Sequence, residues 1–241
     1  MKVSFVIPAH NEAHQIGRTL ASIDAAARAA LAPKGVTHDV TVVDDDSTDA
    51  TGEIAAQHGA QVVRVKLRKI GMVRNAGAAR ATGDVFVFVD ADTEIDADLL
   101  RATLRALDRG VIGGGALGKW REAAPFWGRF VLWQWNVISR LMKLASGAYF
   151  FARAEHFRAV GGFNEAYFCA EEVALSRALK ERGRFVVLPR RYLTSARKVN
   201  THSFREGIRI WWRLVAGGEE GFKKREGKEL WYERRDEPGK G

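Results

Sequence analysis

The stretch Phe86–Asp96, FVFVDADTEID, turns from aromatic and aliphatic residues into Asp90, Asp92, Glu94 and Asp96 within a few positions. Asp90 and Asp92 flank one residue at the end of a hydrophobic run, so both side chains can reach a common point. Carboxylates held so close repel one another, and a positive partner among them relieves that repulsion. Three partners fit: a hard divalent cation, solvent, or a neighbouring arginine. Paired oxygen ligands suit Mg2+ or Mn2+, which would bridge onward to substrate phosphates. A bland role competes, because aspartate is common in loops and helix caps, and Asp96 or Asp98 is expected to cap a following helix.

A second acidic cluster, VVDDDSTDAT, places Asp44, Asp45 and Asp46 after another hydrophobic run, with Ser47 or Thr48 able to start the next helix. One acid suffices for capping, so two are expected to serve otherwise. A carboxylate at such a tip can accept the ring N–H of a pyrimidine or guanine base. The segment IPAHNE adds Asn11 and Glu12, suited to base and ribose hydroxyls, and KIGMVRNAG puts Arg74 and Asn75 early in a helix between the acids. Arg74 either neutralises those acids or holds a nucleotide.

The elements that must position these groups alternate. VSFVI (3–7), DVTVV (39–43), QVVRV (61–65) and DVFVFV (84–89) read as strands. Helices are expected after Asn11, near 49–58, near 72–82 and near 97–108; the first carries Ile16, Leu20, Ile23, Ala27 and Leu31 on one face, with Asn11 as its cap. Four strand-then-helix units imply an α/β domain with a mostly parallel central sheet and helices on both faces. Ligands of such sheets sit beyond the carboxyl ends of the strands, where Asn11, Glu12, Asp44–Asp46 and Asp90–Asp92 all fall. The second half predicts a helix over 125–145, a strand over 147–153, a helix over 170–182, a short strand over 185–188 and a helix over about 202–216. No internal repeat or linker interrupts it. One domain over 1–217 is expected, with a nucleotide-binding half to about 110 and an acceptor half beyond. The charged tail 218–241 is poor in apolar residues and expected to stay mobile.

Taken in order, VIPAHNE, VVDDDSTD, RNAGAARATGD, FVDAD, GGFNE and AEEVALSRAL resemble the motif series of the family 2 glycosyltransferases, over about residues 3–182. The resemblance implies the GT-A, or nucleotide-diphospho-sugar transferase, fold and an inverting, metal-dependent transfer of a hexose-type sugar from a UDP- or GDP-sugar. By matching position it implies that Pro8, Ala9, Asn11, Glu12 and Asp45 line the nucleoside pocket. Asp90 would face ribose or metal, Asp92 would be the main ligand of Mg2+ or Mn2+, and Glu172 would be the base, with Glu171 the alternative. A base is needed because the acceptor hydroxyl must lose its proton as it attacks the anomeric carbon. Two positions depart from the pattern. Asp46 replaces the turn glycine, which a left-handed aspartate can tolerate, and Glu172 replaces an aspartate, lengthening the base by one methylene.

Charge is uneven: residues 182–217 carry nine Arg or Lys and one acid, within a chain of net charge +9. Such a patch suits an anionic partner or is simply a solvated face. A late basic segment closes over the donor diphosphate in related enzymes, which points to Arg197 or Lys198; attraction to an anionic lipid-linked acceptor or bilayer is the second reading. Nucleic acid is not expected, since the acidic rim would repel its backbone. The helix over 125–145 carries Arg129, Asn136, Arg140 and Lys143 as a polar stripe beside a wide aromatic arc. It is expected to pack in the core or line an acceptor groove, with a membrane interface as the third option. The acceptor is left open among glycan, lipid-linked and small-molecule hydroxyls. The run GGGALGK (113–119) is read as a flexible loop rather than a phosphate loop, because Trp120 stands where Ser or Thr would be required. The six histidines lack metal-ligand spacing; His202 is expected to be a surface residue rather than a late metal ligand. A single cysteine and no membrane-length apolar run fit a cytoplasmic protein, with peripheral contact at the inner membrane face left open.

Overall fold

A computed structural model describes residues 1–201, apart from the Lys198 side chain. The expected helix over 202–216, the tail 218–241, and His202 lie outside the described residues. Among the described residues eight strands form one sheet: β1 (Lys2–Ala9), β2 (Thr37–Asp45), β3 (Gln61–Val65), β4 (Val85–Val89), β5 (Thr93–Glu94), β6 (Gly113–Trp120), β7 (Tyr149–Arg153) and β8 (Phe185–Thr194), in the spatial order β3-β2-β1-β4-β7-β6-β8-β5. The pairings among β3, β2, β1 and β4 are parallel, as is β6 with β8. The pairings of β7 with β4, of β7 with β6, and of β5 with β8 are antiparallel. The sheet is therefore mostly parallel, with its antiparallel pairings in the second half.

Helices α1 (Ile16–Ala30), α2 (Thr51–Gln57), α3 (Ile70–Arg80) and α4 (Ala97–Asp108) follow the first four strands in the expected order. Side-chain alternation divides the interior between the two faces of the sheet. From β4, Val85, Val87 and Val89 join Ile16, Leu20 and Ile23 of α1 and Leu100 and Leu104 of α4 in one core. Phe86 and Phe88 turn the other way, into a second core with Phe150, Phe157, Phe163 and Phe185. A strand covered on both faces reads as an unbroken apolar run, which is what made β4 visible in the sequence. Gly77 lets α3 lie against β1 and β2: a Cβ there would come within 2.4 Å of Val6 and 2.8 Å of Val43.

The remaining helices are α5 (Phe126–Met142), α6 (Ala154–Ala159), α7 (Glu171–Lys180) and α8 (Arg197–Thr201). One expectation fails here and another is narrowed. The glycine run at 113–119 is not a loop but strand β6, clasped between β7 and β8. A Cβ on Gly114 would meet the Val186 carbonyl at 2.3 Å and the Phe151 ring at 2.7 Å, so the strand needs glycine for close approach. Helix α5 is not core packed: Phe126, Phe130, Trp133, Val137 and Leu141 are all exposed, and only Gly128 and Ser139 of this helix are buried. No helix among the described residues is long and apolar enough to cross a membrane.

Candidate active site

The tips of β1 and β2 are stitched together by side chains expected to cap helices. Asn11 does not cap α1. It adopts a left-handed backbone (φ 52°), donates its N–H to Ser47 Oγ at 3.0 Å, and accepts the Thr48 N–H at Oδ1 at 2.8 Å. Ser47 and Thr48 are thereby diverted from α2, where Asp49 accepts the Thr51 N–H at 3.1 Å. The acids of the triplet are used individually. Asp44 accepts the Ser47 N–H at 3.2 Å. Asp45 accepts the backbone N–H groups of Leu67 at 2.7 Å and Arg68 at 2.9 Å, binding the segment after β3 to the end of β2. Asp46 is left-handed (φ 60°), so the turn survives without its glycine, and it pairs with Lys66 at 3.2 Å. Pro8 and the buried Ala9 end β1 on the same rim.

One strand further along, the question of what sits beside the Asp90 carboxylate has a structural answer. Arg74, 2% exposed, donates from Nη2 to Asp90 Oδ1 at 2.8 Å and from Nη1 to Glu171 Oε1. Its guanidinium lies 5.4 Å from the centre of the Phe163 ring. Gly147 makes the space: a Cβ there would stand 2.2 Å from Arg74 Nη2. Of the two roles open to Arg74, its ion pairs show it neutralising acids. Burial disfavours its charge, but Asp90, Glu171 and then Glu172 more than offset that and hold it protonated.

Glu171 and Glu172 open α7 after Ala170, which is left-handed (φ 60°), yet their surroundings differ. Glu171 is buried on Arg74, and its Oε2 has no hydrogen-bond partner among the described residues. Glu172 is half-buried. Desolvation, reinforced by the Glu171 charge and only partly countered by Arg74, pushes its pKa up to about 8. Tyr192 on β8 is a buried residue that sequence reasoning passed over. Its hydroxyl bonds Ser146 Oγ at 2.7 Å, and burial, then the charges of Asp90, Glu172 and Asp92, push its pKa up.

Residues 4–157 match the family model described as Glycosyl transferase family 2. This chain belongs to that family. An uncharacterised glycosyltransferase of Mycobacterium tuberculosis is 37% identical over 108 residues, covering 45% of this chain and 44% of the relative. Dolichol-phosphate mannosyltransferase of Pyrococcus furiosus is 28% identical over 144 residues, covering 54% of this chain and 38% of that one. The chain therefore spans under half the length of these curated relatives. Among solved structures, the mannosyltransferase PcManGT of Pyrobaculum calidifontis, determined with GDP-Man and Mn2+, aligns with a TM-score of 0.67 at 20% identity, over 92% of this chain and 66% of that one. The GT-A fold follows from that likeness.

Within this family 2 chain, Asp92 sits half-buried beside Thr194, whose hydroxyl points to Oδ1 at 3.4 Å, because β5 pairs Thr93 with Thr194. Among the described residues no group of three or more Asp, Glu, His or Cys side chains forms a metal cage. A cation of the magnesium type needs only one or two carboxylates and completes its shell with water and substrate phosphates. Asp92 fits that use, with Asp90 beside it sharing one oxygen with Arg74. From β8 the chain enters α8, where Arg197 grips Glu12 through both carboxylate oxygens, at 3.1 Å and 2.5 Å. Two residues 185 positions apart are thus joined across the rim, a contact that no local pattern could have revealed. Arg121, also missed in the sequence, braces this side by bonding Glu94 at 2.9 Å and Gln15 at 2.6 Å.

Proposed function

We propose that this chain is an inverting hexosyltransferase that moves a sugar from a UDP- or GDP-sugar to an acceptor hydroxyl, with Mg2+ or Mn2+ held by Asp92 and Asp90. The observation that carries the reading is the unequal pair at the start of α7. Glu171 is committed to Arg74, whereas Glu172 is half-buried and its pKa, raised by desolvation and then by the Glu171 charge, suits a proton acceptor. Glu172 takes the proton from the acceptor hydroxyl as that oxygen bonds to the anomeric carbon. The diphosphate departs from the opposite side with the electron pair of the broken bond. Bound metal would supply positive charge to that leaving group, so no acid need protonate it. The donor lies over the half ending near residue 110, with Pro8, Ala9, Asn11, Glu12 and Asp45 shaping the nucleoside wall. Arg197 leaves Glu12 for the diphosphate. The acceptor approaches over the half that begins near residue 111, and the name of the Pyrococcus relative favours a lipid-linked one.

Thermal shifts with UDP, GDP, CDP and dTDP, each with and without Mn2+, test this reading. One diphosphate is expected to stabilise the protein through metal, and Asp92→Ala to remove the metal-dependent part. Glu172→Gln is expected to keep nucleotide binding and to lose transfer by about 10²–10⁴-fold, the usual contribution of a positioned base. Undiminished turnover would move the base to Glu171.

A further inference from the structure

Helix α5 is amphipathic in the reverse of the usual sense. It meets the body through a narrow strip. Asn136 clamps the Gly118 backbone, donating to its carbonyl at 2.9 Å and accepting its N–H at 2.8 Å, and Gly128 abuts Val199. The opposite arc is apolar and open: Phe126 is 82% exposed, Leu141 77% and Trp133 60%, with Phe130 stacked on Trp133 at 5.8 Å between ring centres. A helix facing water is expected to turn such an arc inward, so this one is built for another environment.

Charge selects among the environments. From Phe126 to Lys143 the sequence holds Arg129, Arg140 and Lys143 and no acid. Both arginines lie along one border of the apolar arc on the helical wheel, and all three cations are exposed. An aromatic face edged by cations matches the acyl and headgroup layers of an anionic bilayer. A second copy of this positively charged chain would instead bring like charges together. The location matters too. Gly118, clamped by α5, is wedged between Leu132 of that helix and Tyr192, whose hydroxyl bonds Ser146 and feels the charges of Asp90, Glu172 and Asp92. The helix therefore lies one residue layer from the proposed chemistry.

We propose that α5 is an interfacial membrane-docking helix. Its outer face enters the headgroup region of an anionic bilayer and holds the acceptor side of the site against the lipid surface. This rests on the transferase reading only for the identity of what is delivered; the docking itself does not depend on it. To test it, the full chain is sedimented with phosphatidylcholine vesicles with and without phosphatidylglycerol. In parallel, Leu141→Cys is labelled with an environment-sensitive fluorophore, the native Cys169 being buried. Expected are binding that requires phosphatidylglycerol and weakens with salt, and a blue shift of the label when those vesicles are added. The triple variant Phe130→Ser, Trp133→Ser, Leu141→Ser should lower vesicle affinity at least about tenfold, since each removes a large buried-in-lipid side chain. Arg129→Gln with Arg140→Gln should lower it less. Vesicle binding unchanged in the triple variant would overturn the proposal, as would absence of binding. A label already shielded before lipid is added would also overturn it, whether by a second copy or by the chain's own residues after Thr201. Nucleotide-dependent thermal shifts in the triple variant report separately on the transferase reading.

Discussion

The strand tips of β1, β2 and β4 and the outer face of α5 solve opposite problems. At the tips, charge is drawn into the protein and matched there: Arg74 is buried between two carboxylates, and Asp45 is filled by backbone N–H groups. On α5, apolar surface is pushed outward and left open, while Asn136 faces the body and Arg129 and Arg140 border the apolar arc. The difference teaches where each region's partner must come from. The tips carry fixed charges and dipoles that a polar substrate can complete. The α5 face has hydrophobic surface that only another apolar phase can cover.

The widest separation is expected from removing the charge at the centre of the tips. Arg74→Met leaves Glu171 buried without its cation and should cost about 3–5 kcal/mol of stability, the usual result of breaking a buried ion pair. Adding Glu171→Gln should return part of that, because the stranded charge is gone. Urea unfolding of the three proteins checks both statements, and an Arg74→Met protein as stable as the parent would show that the pair contributes nothing net.

A smaller effect depends on pH. The folded pKa of Glu172 lies near 8, above the ordinary glutamate value of 4.5. The fold therefore favours the protonated form. Its contribution is full below about pH 4.5, falls as the unfolded chain ionises first, and is lost as pH rises through about 8. Without metal or nucleotide, the melting temperature of Glu172→Gln should gain on that of the parent between pH 5 and pH 8. Parallel melting curves across that range would mean that the carboxyl sits in an ordinary environment. The same shift places a rising limb near pH 8 in kcat/KM, absent from the residual activity of the Gln variant.

Much of the tip region was readable because its signals are local. Unbroken runs such as Val85–Val89, followed at once by acids, announce a doubly covered strand ending at a ligand rim. The face of α1 from Ile16 to Leu31 likewise appears from spacing alone. What stayed hidden depends on partners distant in the chain. Gly113–Gly115 carry no strand signal of their own and become β6 only because β7 and β8 close around them. Asn11 looks like a helix cap until Thr48 arrives to take its side chain. Arg74 had two credible roles until Gly147 and Glu171, from 73 and 97 positions away, enclosed it. Helix α5 was correctly placed in the chain, and only its expected packing into the core fails, because an aromatic stripe looks the same whether the core covers it or leaves it exposed.

The finest test of the contrast exchanges side-chain size between the regions. Gly77→Ala adds one methyl where α3 touches Val6 and Val43. Neither contact has room, so a loss of about 1–3 kcal/mol is expected, in the range for overpacking. Leu141→Ser removes most of a large side chain from α5 and should change stability in solution by no more than about 0.5 kcal/mol, because a group already in water gives up no burial. By ordinary reasoning, deleting a leucine costs more than adding a methyl; here the order should invert. A Leu141→Ser protein that melts well below the parent would show that the α5 face is already packed against something in solution. It would then belong with the protein interior, and the division drawn between the two regions would fail.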